Sequence, residues 1–118
     1  MSKKIAINGF GRIGRTVFKI LFEKKGLEVT AVNDLTEVKT LAHLLKYDSS
    51  YGLYNHEVNY DDENIIIDGR KIKVVSEKEP SRLPWQSLGV ETVVESTGLF
   101  EEYEKAKGHL EAVAGIVF

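Results

Sequence analysis

A chain of 118 residues with 42% apolar and 29% charged side chains suits one packed domain and lies well away from the disordered regime. Sixteen basic against eighteen acidic residues give a formal charge of −2 with the signs interspersed, so no basic stripe is present to track a nucleic acid. The lack of any cysteine excludes a disulfide framework, a thiolate metal site and a cysteine nucleophile within this chain.

Met1 to Lys4 leads into only three apolar residues before Asn8, too few for the apolar region of a signal peptide, and no run nears membrane-spanning length. A cytoplasmic protein with no membrane partner is expected. Lys4 to Asn8 reads as a short buried strand. After the glycines that follow, Ile13, Val17, Ile20 and Leu21 recur at helical spacing and are expected to face inward, with Lys24-Lys25-Gly26 ending the helix. Leu27 to Val32 alternates as a second strand. Strand, helix and strand within about thirty residues make a βαβ unit, whose right-handed crossover sets the strands parallel.

A second helix is expected from Glu37 to Lys46, with Val38, Leu41, Leu44 and Leu45 on one face and turn-forming residues from Tyr47 to Gly52 closing it. Between His56 and Val75, the pair Asp68-Gly69 separates two β-rich runs, Ile65-Ile66-Ile67 and Arg70 to Val75, and so signals a hairpin. This hairpin is expected as an antiparallel insertion at the edge of a parallel sheet. Pro80 and Pro84 bracket a loop before a short turn at Trp85 to Leu88, where Trp85 is expected to serve packing. Glu91 to Glu95 reads as a strand running into Ser96-Thr97-Gly98. A helix from about Phe100 to Glu111 follows, with Glu101 and Glu102 in its first turn and Lys105, Lys107 and His109 later, as the helix dipole prefers. Ala114 to Phe118 reads as a last strand that has only begun. The expected fold is α/β, a Rossmann dinucleotide-binding fold over 1–118, mostly parallel with an antiparallel hairpin insertion and truncated at its carboxyl end.

Gly9, Gly11 and Gly14 form G-x-G-x-x-G between the first strand and the first helix, and Asp34 follows twenty positions after Gly14 at the end of the second strand. Gly9 allows the tight turn, Gly11 lets a backbone without Cβ approach a pyrophosphate, and Gly14 lets the helix pack closely on the sheet. The first-turn amides and the helix dipole favour an anion there. Arg12 and Arg15 stand at a helix end where basic side chains are disfavoured unless an anion offsets them. Asp34 suits both hydroxyls of an adenosine ribose and repels a 2′-phosphate, which favours NAD over NADP. The competing reading is a plain strand-to-helix turn with Asp34 capping the second helix. Ser96, Thr97 and Gly98 either border the cofactor or form an ordinary helix N-cap. His43, His56 and His109 have no nucleophile or metal spacing beside them, and the acidic run Asp61-Asp62-Glu63 reads as a solvated turn, so no metal site is expected.

The stretches KIAINGFGRIGR, VNDLT, LAHLLKYDSSYG, SEKEP, Trp85, VVESTGLF and EKAKGHLEAVA, in unbroken order from Lys4 to about Ala112, resemble the amino-terminal half of phosphorylating glyceraldehyde-3-phosphate dehydrogenase. The resemblance implies a homotetrameric glycolytic oxidoreductase that oxidises and phosphorylates an aldehyde and passes hydride to NAD. By position it implies that Arg12 and Ile13 contact the pyrophosphate through their backbone, that Asp34 holds the ribose, and that Asn33 lies beside the adenine. Asn8, Gly9, Phe10 and Gly11 belong to the same loop, and Ser96, Thr97, Gly98 and Phe100 border the cofactor. Lys78 stands where the family usually has an arginine whose backbone lies near the adenine; a backbone contact survives that change, but bidentate bonding does not. At the carboxyl end EAVAGIVF departs from the family's glycine, small residue and basic pair. The family places its cysteine nucleophile, histidine base and phosphate sites beyond this region, so the resemblance implies a cofactor half without catalysis. The alternatives are a non-enzymatic nucleotide-binding or assembly module, self-associating through an open sheet edge, and a distinct enzyme completed by a partner's cysteine.

Overall fold

The computed structural model describes residues 3–47, 56–78 and 82–96, together with the backbone of 116–117. The run KKIAIN forms β1 (Lys3–Asn8), and the turn of glycines leads into α1 (Arg12–Phe22), β2 (Leu27–Asn33) and α2 (Val38–Tyr47). The β-branched run after His56 supplies β3 (Val58–Tyr60), β4 (Asn64–Ile67) and β5 (Arg70–Val75), followed by β6 (Thr92–Glu95) and β7 (Ile116–Val117). Among the described residues one sheet forms in the order β3-β4-β5-β2-β1-β6-β7. β1 runs parallel to both β2 and β6, and the register ends with Asn8 opposite Asn33 on one side and Glu95 on the other. β7 adds parallel to β6, in agreement with the strand expected near the carboxyl end. The helix expected over Phe100 to Glu111 lies outside the described residues.

The expected hairpin is present, and it does more than decorate an edge. β5 pairs antiparallel with β4 and parallel with β2, so the second hairpin strand is also the third parallel strand of the sheet. Asp68 and Gly69 both have positive φ, 50° and 82°, which matches the right-handed twist of the flanking strands.

The parallel strands bury side chains on both faces, as their near-continuous apolar text requires. Ile7, Val29, Val32, Ile65 and Ile67 pack with Phe10 and Phe18 and with Leu41 and Leu45 of α2. The residues alternating with these, Ala6, Ala31 and Val93, meet Leu83, Trp85 and Val90 on the other face. Trp85 is fully buried there, the packing role expected of it. α2 buries Leu41, Ala42 and Leu45, close to the predicted face. Among the described residues no helix is long and apolar enough to cross a membrane.

α1 corrects the predicted face. Ile13 and Ile20 are 68% and 55% exposed, while Gly14, Arg15 and Phe18 are buried and Leu21 and Phe22 pack against the core. The reason is steric. Gly14 is pressed against the Gly9 carbonyl, so the helix can rest on the sheet only along the stripe that continues through positions 18, 21 and 22. The apolar residues at 13 and 20 are carried outward by that rotation.

His56 ties the hairpin to the end of α1. Its Nδ1 lies 2.6 Å from Asp68 Oδ2 and its Nε2 meets Glu23, with Phe22 edge-on at 5.0 Å and the Arg70 guanidinium over that ring at 4.4 Å. The Asp68 hydrogen bond, aided by Glu23 and opposed by partial burial, raises the His56 pKa, and the same contact lowers that of Asp68. A raised histidine pKa gives stability that is full below the unfolded value and lost as pH rises through the folded one. The lowered Asp68 value acts in the opposite limb, losing its contribution as pH falls through the folded value. The thermal midpoint of the parent should therefore decline as pH rises past the ordinary histidine range, and that decline should be missing in His56→Gln. Equal slopes in the two melts would remove this clasp as a source of stability.

Candidate functional site

The carboxyl ends of β1, β2, β5 and β6 lie side by side, the edge of a parallel sheet where ligands gather. The chain leaves β1 through Gly9, whose φ of 92° turns it away from the strand while its N–H donates to the Asn33 carbonyl at 2.8 Å. A methyl at Gly14 would lie 2.1 Å from the Gly9 carbonyl oxygen and 2.8 Å from Ser96 Oγ, so only glycine permits this helix-to-turn contact. Gly11 differs: among the described residues a methyl there meets nothing within 4 Å. It is the N-cap of α1, extended at φ −77°, ψ −161°, with no side-chain capping bond. The opening of the helix therefore presents its first-turn amides on a side where no described residue crowds Gly11.

Asp34 is engaged on both carboxylate oxygens. Oδ2 accepts from the Phe10 N–H at 2.8 Å and Oδ1 from the Thr36 N–H at 2.9 Å. The second bond is a local Asx turn well before α2 begins at Val38, so the capping reading of Asp34 is replaced by one in which it ties the glycine loop to the end of β2. Ser76 Oγ donates to the Asp34 carbonyl at 2.8 Å, which brings the exit of β5 alongside.

The other predicted residues divide by what they touch. Asn8 and Asn33 are buried, 4% and 6% exposed, with Asn33 Nδ2 donating to Asn8 Oδ1 at 2.7 Å. The Phe10 ring is in the core, packed edge-on against Phe18 at 5.7 Å, so this residue meets the loop through its backbone. Arg12 and Ile13 are exposed at the start of α1, as is Lys78 after β5. Arg15, expected with Arg12 beside an anion, is instead buried, and its Nη1 donates to the Phe10 carbonyl at 3.1 Å from beneath the loop. The Ser96 hydroxyl reaches the Gly9 and Asn8 carbonyls at 2.5 and 3.1 Å, bracing the turn from β6. Thr97, Gly98 and Phe100 lie outside the described residues. His43 packs at a tilt against Tyr47 on the exposed face of α2 at 4.7 Å, and Asp61 accepts the N–H groups of Glu63 and Asn64 in its turn.

Sequence reasoning missed Glu95 and Glu77, which hold the two ends of the asparagine pair. Only the register of β6 against β1 reveals Glu95, and no motif encodes that register.

A mostly parallel sheet whose first strand turns through Gly9, Gly11 and Gly14 into a helix, with an acid closing the second strand, defines a Rossmann dinucleotide-binding domain. The family described as glyceraldehyde 3-phosphate dehydrogenase, NAD binding domain, matches residues 3–103. Glyceraldehyde-3-phosphate dehydrogenase of Borreliella burgdorferi is 57% identical over 105 residues, covering 89% of this chain and 31% of that protein. That of Thermotoga maritima is 55% identical over 113 residues, covering 94% and 34%, and that of Geobacillus stearothermophilus is 51% identical over 114 residues, covering 97% and 34%. The chain belongs to the glyceraldehyde-3-phosphate dehydrogenase family through its NAD-binding domain, and its cofactor is NAD. It spans about a third of the length of these relatives.

Proposed function

We propose that this chain is an NAD-binding domain that seats the pyrophosphate on the first turn of α1 and the adenosine ribose on Asp34. The observation that carries the reading is the open face of Gly11 beside the helix terminus, with the Asp34 carboxylate hydrogen-bonded to the same loop. Those residues fit the cofactor: the amides of Arg12 and Ile13 suit a pyrophosphate, and each Asp34 oxygen keeps lone-pair capacity for a ribose hydroxyl. Asn8, Gly9, Phe10 and Gly11 form the loop, Asn33 and the Lys78 backbone flank the adenine end, and Ser96 closes the remaining side, to which the family resemblance adds Thr97, Gly98 and Phe100. When bound, NAD supplies a hydride acceptor. This chain contributes binding and orientation only, because the thioester route that the resemblance implies needs a thiolate and the sequence has no cysteine. We further infer a cytoplasmic setting and, for the longer relatives, oxidative phosphorylation of glyceraldehyde 3-phosphate. The assembly-module alternative draws only on β7 standing last in the strand order among the described residues, so nucleotide binding is the conclusion.

Calorimetric titration of the chain tests this. Saturable NAD binding is expected, with NADP weaker by at least about tenfold because Asp34 faces the 2′ position. No saturable binding, or equal binding of the two, would overturn the assignment.

A further inference from the structure

Asn33, Asn8 and Glu95 end three adjacent strands, and the register sets them in one row. Their side chains close that row into a continuous chain of hydrogen bonds. Asn8 Nδ2 donates to Glu95 Oε2 at 2.9 Å, and Asn33 Nδ2 donates to Asn8 Oδ1 at 2.7 Å and to the Glu77 carbonyl at 2.9 Å. The Glu77 N–H completes it by donating to Asn33 Oδ1 at 2.9 Å.

The polarity of this chain is set at both ends. A backbone N–H only donates, so Asn33 must turn its oxygen toward Glu77. A carboxylate only accepts, so Asn8 must turn its NH2 toward Glu95. The two groups left facing each other, the Asn8 oxygen and the Asn33 NH2, are a matched pair. Because both amides are buried, a side chain turned the wrong way would leave a donor or acceptor without water to satisfy it. Asn8 immediately precedes Gly9, and Glu77 follows Ser76, which bonds Asp34. The chain of bonds therefore reaches both walls of the nucleotide site.

We propose that Glu95 is a positioning residue for the nucleotide, fixing through Asn8 and Asn33 the glycine loop and the segment 76–78 as one preset rim. The proposal rests on the nucleotide reading above and gives Glu95 no contact with the ligand. A preset rim avoids the ordering that a loose one must undergo on binding, so its loss weakens affinity without removing any ligand contact.

The test uses the whole chain with Glu95→Ala, Glu95→Asp and Glu95→Gln, titrated with AMP and with NAD. Alanine removes the acceptor, and aspartate withdraws it by one methylene while keeping the charge. Both should weaken AMP and NAD in parallel by about tenfold, the loss of one charge-assisted hydrogen bond. Glutamine still accepts through its amide oxygen and should restore affinity to within about twofold. In amide-resolved spectra of the parent, the Asn8 and Asn33 side-chain NH2 protons should exchange slowly with water, and in Glu95→Asp they should exchange fast. This second variant and the parent spectrum decide the matter even where Glu95→Ala fails to fold. Unchanged affinity in folded Glu95→Asp, a glutamine variant as weak as aspartate, or freely exchanging parent amides would each overturn the relay alone. A parent that binds neither AMP nor NAD overturns the nucleotide reading and the relay with it.

Discussion

Alanine at Gly14 should destabilise the fold by about 3 kcal/mol or more, whereas alanine at Gly11 should leave the fold nearly intact and weaken nucleotide binding about a hundredfold. The two substitutions add the same methyl to the same loop and differ only in what it meets. At Gly14 it would lie 2.1 Å from the Gly9 carbonyl oxygen, a backbone atom fixed by the N–H bond of Gly9 to Asn33, and 2.8 Å from Ser96 Oγ. Neither can withdraw without breaking the turn or the brace from β6, so α1 must lift and the contact of Phe18 with the sheet must loosen. Such overpacking typically costs about 1–3 kcal/mol and more where backbone must move, a large share of the roughly 5–15 kcal/mol that holds a domain together. At Gly11 the methyl meets no described residue within 4 Å, and φ −77°, ψ −161° is a conformation that any residue adopts. The folded state then changes by only about half a kcal/mol, the difference between glycine and alanine at an N-cap. The methyl does occupy the approach to the first-turn amides, so NAD affinity should fall by about a hundredfold, or ~2.7 kcal/mol. Denaturant melts and calorimetry on both variants check the pair. A Gly14→Ala protein as stable as the parent would remove the close contact as a determinant of the fold, and a Gly11→Ala protein that binds NAD normally would remove the pyrophosphate from that face.

Much of this architecture was legible because the text of β1, β2, β5 and β6 is dense in β-branched residues with turn chemistry between, and Asp68-Gly69 admits few backbone solutions. What escaped was set by contacts rather than by pattern. Ile13, Val17, Ile20 and Leu21 make a better apolar stripe on α1 than the one that is buried, yet the glycine at 14 decides the rotation of the helix, because an ångström of clearance against a carbonyl outweighs the exposure of two isoleucines. The motif already gave Gly11 to a ligand and Gly14 to helix packing, and the distances agree with the second of these: a Cβ at Gly14 would run into the Gly9 carbonyl, whereas one at Gly11 meets no described residue. Phe10 sits inside the motif but spends its ring on the core. Arg15 looks like a partner for an anion and is a prop beneath the loop. Glu95 carries no local signal at all, since its role comes from standing opposite Asn8 across a strand pair joined only after 87 residues of chain.

Asp34→Ala should lower NAD affinity by about a hundredfold and abolish the preference over NADP, with a stability loss of about 1–2 kcal/mol. Three effects combine in one side chain. Truncation leaves the partly buried Phe10 N–H without its acceptor, opens the local turn at Thr36, and deletes the groups offered to the ribose hydroxyls. The first two act on the free protein and account for the stability loss, since an orphaned donor costs about 1–3 kcal/mol. The ribose contacts act only on the complex. Two hydroxyl-to-carboxylate bonds at about 1.5 kcal/mol each give the affinity loss, and because NADP never gained them, its affinity should fall much less. Asp34→Asn separates the terms further. An amide offers one oxygen to two N–H donors that lie on opposite oxygens of the carboxylate, so it can serve Phe10 or Thr36 but not both. Its melt should fall between parent and alanine variant, while the removal of negative charge alone should bring NADP within about threefold of NAD, little more than half a kcal/mol apart. Melts and paired titrations of the three proteins measure each term. An asparagine variant that keeps a tenfold preference for NAD would show that discrimination resides elsewhere on the rim, and an alanine variant with parental stability would show that Phe10 N–H finds water as readily as it finds Asp34.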